Sequence, residues 1–140
     1  MDKNMAHNFW LFKSEPDEFS IDDLQKVECE AWNGVRNYQA RNFMRDKVQH
    51  DDNFLFYHSS CPKPGVVGVG RIVKTAYPDP EDSRWVVVDV QFVEKFKRVV
   101  ELRELRGNSK LSEMLILRKG NRLSVTPIKK SEFEAIKKMV

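Results

Sequence analysis

The chain has 140 residues, which is enough for one domain with a sizeable hydrophobic core. Its composition is that of a globular protein, with 41% apolar and 32% charged residues, and no apolar run is long enough for a membrane-spanning helix. The net charge of +3 is too small to identify a nucleic-acid-binding protein, although 16 of the 24 basic side chains fall in residues 71–140.

Residues 1–8 are polar and lack the order of a signal peptide. We expect them to form a flexible segment before a single domain over residues 9–140. Cys29 and Cys61 form no CxxC pattern and are expected to be reduced thiols. These features predict an intracellular protein, which would be cytoplasmic, or nuclear in a eukaryote.

The beginning of the domain carries signals for a strand and a helix. Residues 9–12 form a short aromatic run that ends before Pro16, which predicts a buried strand. Ser20 and Asp23 have the spacing of a capping box, and they predict a short helix that ends near Val27.

Residues 31–42 contain several side chains that can bind a ligand, closer together than elsewhere in the sequence. Trp32 and Tyr38 offer flat aromatic faces, and a glycine permits a bend between them. Arg36 and Arg41 can bind phosphate in bidentate fashion. The stretch therefore suits an unstacked nucleobase with its backbone attached, whereas the alternative is a core tryptophan with solvated arginines.

A helix is predicted directly after this bend. Asn37 is expected to cap it, and one face of the helix carries Ala40, Phe43, Met44 and Val48. The first amides of this helix would then point toward a phosphate or a polar base edge beside Trp32.

The middle of the chain reads mostly as strands. Residues 54–58 and 66–76 are predicted strands, and two glycines in the second leave one face nearly free of side chains. Such glycines mark a bulge, a barrel corner or the close approach of a ligand. Residues 77–82 are predicted to form a polar loop, followed by a strand over residues 85–93 and its continuation into a partner strand over residues 96–100.

The last part of the chain combines short helices with one strand. Two short helical segments are predicted, at residues 101–105 and 111–117. Residues 123–125 are predicted to form a last strand that ends at Pro127, and Ser131 with Glu134 has the spacing of a capping box for a terminal helix. The pattern predicts an α+β fold, a compact β-barrel of about five to six short strands with flanking short helices.

Several blocks of this chain resemble the EVE domain, a member of the PUA-like superfamily that is related to the YTH readers of methylated adenosine. The blocks lie at residues 10–16, 32–42, 56–59, 65–68, 89–93 and 117–125. The resemblance runs from residue 9 to the C-terminal helix and so covers nearly the whole chain. One departure is the loop after Pro80, which is usually longer in this family.

The resemblance implies a β-barrel with a pocket for a modified base in DNA or RNA, no cofactor, and a non-catalytic reader. The base is methylated or hydroxymethylated cytosine, or methyladenine, and it must be unpaired or flipped out to enter. By correspondence, the expected pocket residues are Lys13, Ser14, Glu15, Trp32, Val35, Arg36, Asn37, Tyr57, His58 and Ser59. The residues expected to meet the nucleic-acid backbone are Arg41, Arg45, Arg118, Lys119 and Arg122. On this basis Trp32→Ala is expected to abolish binding and leave the fold intact.

Other interpretations stay open at this point. Lys13, Ser14 and Glu15 supply the residue types of ASCH-type PUA-like proteins that resemble small amidohydrolases of modified cytidines. Adjacent residues on an extended strand, however, point to opposite faces unless the chain bends.

Two further alternatives concern the surface of the domain. Arg45 could pair with Asp46 instead of binding a phosphate. The domain could also act through contacts with another protein. The histidines and cysteines lack zinc-site spacing and no base is identifiable for a serine or cysteine nucleophile, so neither a metal site nor such catalysis is predicted. No membrane partner is expected, and the oligomeric state is left open with a monomer as the simplest assumption.

Overall fold

A computed structural model describes residues 8–140 of the chain. The elements in chain order are β1 (Phe9–Ser14), α1 (Ile21–Val27), β2 (Cys29–Trp32), α2 (Tyr38–Asp46), β3 (Asn53–His58), β4 (Gly65–Asp79), β5 (Asp82–Glu101), α3 (Leu102–Arg106), β6 (Val125–Ile128) and α4 (Lys130–Met139). Two 3-10 turns, Ser109–Leu111 and Leu115–Leu117, lie between α3 and β6. Of the predicted flexible segment, residues 1–8, residues 1–7 (His7 included) lie outside the described part of the chain, whereas the amide of Asn8 donates to Asp52 Oδ1 at 3.0 Å.

The six strands form one mixed sheet in the order β2-β5-β4-β3-β1-β6. Strands β1 and β3 are parallel and the other neighbours are antiparallel. The predicted α+β class is therefore correct, but the sheet is not closed into a barrel. Within residues 8–140 the edge strands β2 and β6, which have four residues each, do not pair with each other. An opening therefore remains between them. Helix α2 contacts β6 on one side of this opening and β4 and β5 on the other.

Two of the strands are long rather than short. Residues 77–82, predicted as a loop, belong mostly to the β4–β5 hairpin, whose turn consists of Pro80 and Glu81. Residues 96–100 continue β5 and do not form a separate partner strand. The register shifts at several points, one of them between Val69 and Gly70, so the hairpin bends over the core. A Cβ at Gly70 would overlap the ring of Phe54, so this glycine serves close packing of a core aromatic.

The predicted caps of the first two helices are confirmed. Ser20 Oγ accepts a hydrogen bond from the Asp23 amide at 3.1 Å, and the Asp23 carboxylate accepts one from the Ser20 amide at 2.9 Å. Asn37 Oδ1 accepts a hydrogen bond from the Ala40 amide at 3.1 Å, which fixes the start of α2.

The predicted cap of the terminal helix is wrong by two residues. Helix α4 begins at Lys130, and the carboxylate that caps it belongs to Glu132, which accepts a hydrogen bond from the Lys129 amide at 2.7 Å. Glu132 is 3% exposed, whereas Glu134 is exposed. Burial therefore selects the glutamate that caps the helix, because a buried carboxylate needs a hydrogen-bond donor.

The segment before α4 also differs from the expectation. Strand β6 includes Pro127, which lies opposite Trp10 in the register. Proline is tolerated there because β6 is an edge strand whose outer side has no ladder partner. Residues 111–117 do not form one helix, since the two 3-10 turns are separated around Met114.

The sheet separates two hydrophobic clusters. Alternation along β1 directs Trp10 and Phe12 into one cluster and Leu11 into the other. The first cluster contains Trp32, and it is the one that lies beside the opening between β2 and β6. Among the helices of residues 8–140, none has the length and apolar character needed to cross a membrane.

Candidate functional site

A cavity of about 770 Å³ lies where β1 and β2 end, beside the segment that leads into β6. We call it the first cavity. Its walls come from the end of β1 and the turn after it, from β2 and the bend that follows, from the residues after β3, and from the segment before β6. Seven predicted site residues line it, namely Lys13, Ser14, Glu15, Trp32, Val35, Ser59 and Arg122. The opening between the edge strands β2 and β6 thus coincides with the first cavity.

The turn after β1 explains how three adjacent residues reach the same cavity. Strand β1 ends at Ser14, and the amides of Glu18 and Phe19 both donate to the Glu15 carbonyl at 2.9 Å. Ser14 Oγ donates to the Phe19 carbonyl at 2.8 Å, which ties the turn together. Lys13, Ser14 and Glu15 all line the first cavity because the chain bends at the point where the strand stops.

The floor of the first cavity is formed by the end of β2. Trp32 is only 6% exposed and meets the rings of Phe12 and Phe56 at centroid distances of 5.3 and 5.2 Å. Gly34 has φ of +81°, the left-handed conformation that favours glycine, and this bend brings the buried Val35 to the cavity wall. Trp32 is therefore a core residue that also lines the cavity, and its role in stacking on a base stays a prediction.

The first cavity is polar and carries charges of both signs. Glu15, Glu18 and Glu30 line it together with Lys13 and Arg122. Lys13 is half-buried, and this burial lowers the pKa of its ammonium group. Donors and acceptors are thus both available, which suits a neutral ring with a mixed hydrogen-bonding edge better than it suits a phosphate.

A second cavity of about 600 Å³ adjoins the first. The two share Lys13, Ser59, Ser60 and Asn121. Tyr57, Arg118 and Lys119, which were predicted as site residues, line the second cavity and not the first. Burial raises the pKa of Tyr57 to about 12, so its hydroxyl stays protonated at neutral pH.

Three predicted pocket residues lie outside both cavities because each has a structural role. Arg36 forms an ion pair with Asp79 at 3.3 Å and lies over the Trp85 ring. Asn37 is the cap of α2. His58 Nε2 accepts a hydrogen bond from the Ile21 amide at 3.1 Å, at the start of α1.

The two predicted backbone contacts on α2 also lie outside the cavities. Arg41 lies over the Tyr38 ring, 4.8 Å from its centroid, and donates to the Arg84 carbonyl at 3.0 Å. Arg45 pairs with Asp46 at 2.8 Å, as the alternative interpretation allowed. These contacts occupy both guanidinium groups within the protein.

Several residues that line the first cavity were not singled out from the sequence: Glu18, Phe19, Glu30, Asn121 and Ser124. Glu30 was missed because β2 itself was missed; its four residues show no apolar alternation and depend on pairing with β5. Within residues 8–140, no group of three His, Cys, Asp or Glu side chains is arranged to hold a metal ion.

Comparison with known proteins adds independent information about this site. The EVE domain family model matches residues 8–139. Mouse thymocyte nuclear protein 1 is 41% identical over 170 residues, an alignment that covers 96% of this chain and 74% of the mouse protein. A crystal structure of a protein from Pseudomonas syringae is 47% identical, with a TM-score of 0.90 and coverage of 94% of this chain and 98% of that chain. The crystal structure of human THYN1 in complex with DNA containing 5-methylcytosine is 35% identical, with a TM-score of 0.85 and coverage of 94% and 96%.

Proposed function

The chain belongs to the EVE domain family, and we propose that it is a reader that binds a modified nucleobase flipped out of a nucleic acid, with 5-methylcytosine in DNA as the best-supported ligand. One observation carries the proposal. A relative with the same fold over nearly its whole length has been crystallised with DNA that contains 5-methylcytosine. The first cavity of this chain supports it, because it is large enough to admit a base and its mixed polar lining offers both donors and acceptors.

The chemistry of the cavity fits a cytosine ring. Cytosine presents an exocyclic amino donor, which a carboxylate can accept, and two acceptors, which an ammonium or amide group can satisfy. Glu15, Glu18 and Glu30 are candidate acceptors, and Lys13 is a candidate donor. Trp32 and Val35 supply apolar surface for the ring and its methyl group.

The methyl group alone gives modest discrimination. Burying one methyl is worth about 0.8 kcal/mol, which corresponds to about a fourfold preference over unmodified cytosine. A hydroxymethyl group would bind more weakly unless its hydroxyl finds a partner in the cavity, because burying an unpaired hydroxyl is unfavourable. We therefore expect 5-methylcytosine to be preferred over both, and the base has to leave the stack to enter the cavity.

The flanking phosphates are proposed to meet the basic residues around the two cavities. Arg122 lines the first cavity, and Arg118 and Lys119 line the second. Their contribution is sequence-independent, so Arg122→Gln is expected to weaken all oligonucleotides to a similar degree. It should also reduce the slope of log K against log salt concentration by about 0.7 to 0.9. Arg41 and Arg45 are proposed to add little, because their guanidinium groups already have partners within the protein.

A specific observation favours a second candidate function, hydrolysis of an amide on a modified cytidine. Lys13, Ser14 and Glu15 line one cavity, as an amidohydrolase would need. The hydrogen bond from Ser14 Oγ to the Phe19 carbonyl argues against a serine nucleophile, since the hydroxyl proton is directed at a carbonyl and not at a base. We rank this candidate second.

We infer an intracellular location, nuclear in a eukaryote. Nucleic acid is the proposed ligand, and the matched mouse relative is named as a nuclear protein. Cys29 and Cys61 are both free thiols, which agrees with a reducing compartment.

The test is binding of the purified protein to short single- and double-stranded oligonucleotides that carry 5-methylcytosine, 5-hydroxymethylcytosine, N6-methyladenine or no modification. Binding is measured at two salt concentrations, and a parallel incubation with acylated cytidines is followed by mass spectrometry. Tighter binding to one modified oligonucleotide without turnover supports a reader. Release of an acid from a modified cytidine replaces the reader with the hydrolase. Equal binding to all oligonucleotides contradicts the reader, and the absence of any released acid contradicts the hydrolase.

A further inference from the structure

We propose that the second cavity binds the phosphate attached to the nucleotide whose base occupies the first cavity. The proposal rests on the function proposed above and adds to it a separate anion site built from Lys13, Arg106, Arg118 and Lys119. Arg106 belongs to α3, a helix that does not line the first cavity and that carries none of the predicted site residues. One nucleotide would thus be read in two parts, its base in one cavity and its phosphate in the next.

The charge of the second cavity distinguishes it from the first. Four basic side chains line it, and no carboxylate occurs among the described residues of its lining. The first cavity, in contrast, has three carboxylates and two basic groups. A cavity with four cations and no acid favours an anion, because binding relieves the repulsion among the cations and forms charge-assisted hydrogen bonds.

The four basic groups have no ion-pair partner among residues 8–140, although the charge of Arg118 contributes to the lowered pKa of the Glu113 carboxylate. Other basic residues nearby do form ion pairs. Arg103, on the same short helix as Arg106, pairs with Glu101 at 3.3 Å. Lys129 pairs with Glu113 at 2.6 Å. Among the described residues, no ion pair therefore competes with a ligand for the four basic groups of the second cavity.

The shared wall sets the relation between the two sites. Lys13, Ser59, Ser60 and Asn121 line both cavities, so a ligand can extend from one to the other past these side chains. The wall is held by the backbone, because the Ser59 amide donates to the Ser14 carbonyl at 3.0 Å. Base and phosphate of one nucleotide are joined through a single sugar, and adjoining cavities match that short connection.

The remaining lining adds apolar surface and a hydrogen-bond donor. Tyr57, Leu102, Ile116 and Leu117 lie beside the cations, of which Arg106, Arg118 and Lys119 are exposed. Within the described residues the Tyr57 hydroxyl has no hydrogen-bond partner, and a protonated tyrosine hydroxyl can donate. A phosphate oxygen can accept from this hydroxyl and from the surrounding cations.

The test replaces single phosphates in an oligonucleotide that contains one 5-methylcytosine. A neutral methylphosphonate is placed 5′ of the modified nucleotide, 3′ of it, or at a distant position. We expect one of the two adjacent replacements to weaken binding by about tenfold or more, and the distant one to have a much smaller effect. Arg106→Gln should weaken the all-phosphate oligonucleotide and reduce the effect of the adjacent methylphosphonate, because one of the four cations that bind that charge is gone.

Arg103→Gln is the matched control, since it removes the same charge from the same helix at an exposed position outside the cavity. It should leave the methylphosphonate effect unchanged. The phosphate could also come from a free nucleotide, so competition by 5-methyl-2′-deoxycytidine is compared with that by its 5′- and 3′-monophosphates. One monophosphate should compete better than the nucleoside.

The outcomes separate the two proposals. If 5-methylcytosine is preferred but adjacent and distant methylphosphonates weaken binding equally, the proposed phosphate site is wrong, whereas the proposed function as a reader of the modified base is retained. Equal effects of Arg106→Gln and Arg103→Gln, or equal competition by nucleoside and monophosphates, also contradict the phosphate site. If modified and unmodified oligonucleotides bind equally, the reader itself is wrong.

Discussion

The indole of Trp32 meets the ring of Phe56 edge-on, with centroids 5.2 Å apart and planes at 78°. Similar tilted contacts join Trp32 to Phe12 and Phe54, so the indole is fixed by aromatic neighbours inside the core. Its orientation is therefore set before any ligand binds. A cavity floor of this kind is preorganised, and little conformational entropy is lost there on binding.

This burial changes the expected behaviour of Trp32→Ala. Removing a buried indole should lower the free energy of unfolding by about 3 to 5 kcal/mol, so the expectation that the fold stays intact is replaced. Trp32→Phe keeps an aromatic ring and should cost less. We expect Trp32→Phe to remain folded and to lose much of the preference for 5-methylcytosine. Urea denaturation and oligonucleotide binding are measured on the same samples. If Trp32→Phe is folded and prefers 5-methylcytosine as strongly as the wild type, Trp32 is not part of the base-binding site.

A second prediction concerns the cap of α4. Glu132→Ala removes a buried carboxylate that accepts from the Lys129 amide at 2.7 Å, and it should lower the free energy of unfolding by about 1 to 2 kcal/mol. Glu134→Ala changes an exposed residue on the same helix and should stay within about 0.5 kcal/mol of the wild type. Chemical denaturation of both variants checks the assignment, and the reverse order would restore the cap predicted from the sequence.

The two ends of the chain show what local sequence can predict. Ser20, Asp23 and Asn37 were correctly identified as capping residues because the cap depends on residues within one helical turn. At α4 two overlapping glutamates compete, and the choice between them depends on which one is buried against the rest of the protein. Local spacing does not contain that information.

Long-range contacts account for most of the remaining differences. Arg36 was expected in the pocket by correspondence with the EVE domain, but it pairs with Asp79, which is 43 positions away. Strand β2 was missed because its stability comes from pairing with β5. The open edge of the sheet has the same origin, since closure depends on whether the two ends of the sheet meet.

A third prediction follows from the hydrogen bond that His58 Nε2 accepts from the Ile21 amide. Burial lowers the pKa of His58 below its ordinary value of 6.5. Between the two pKa values the unfolded chain holds more protons than the folded protein, so the free energy of unfolding rises with pH. The contribution is complete above pH 6.5 and is lost as the pH falls through the pKa of the folded protein.

His58→Gln keeps an acceptor for the Ile21 amide but cannot titrate. We expect the melting temperature of the wild type to fall more steeply than that of His58→Gln between pH 7 and pH 5, and the His58 ring to titrate below 6.5 by NMR. A His58 pKa at or above the ordinary value would show that the ring is not held as a neutral acceptor.

The last prediction concerns which carboxylate of the first cavity reads the base. Glu15, Glu18 and Glu30 all line the cavity, and all three are exposed, so alanine at each position should change stability by no more than about 0.5 kcal/mol. The carboxylate that accepts from the cytosine amino group forms a charge-assisted hydrogen bond, and its removal should weaken binding of the 5-methylcytosine oligonucleotide by about tenfold or more. The other two only repel the phosphates, so their removal should strengthen binding and make it more dependent on salt, because a repulsion that salt had screened is gone. Binding of the three alanine variants to modified and unmodified oligonucleotides therefore gives effects of opposite sign, and three strengthening effects would mean that no carboxylate of this cavity contacts the base.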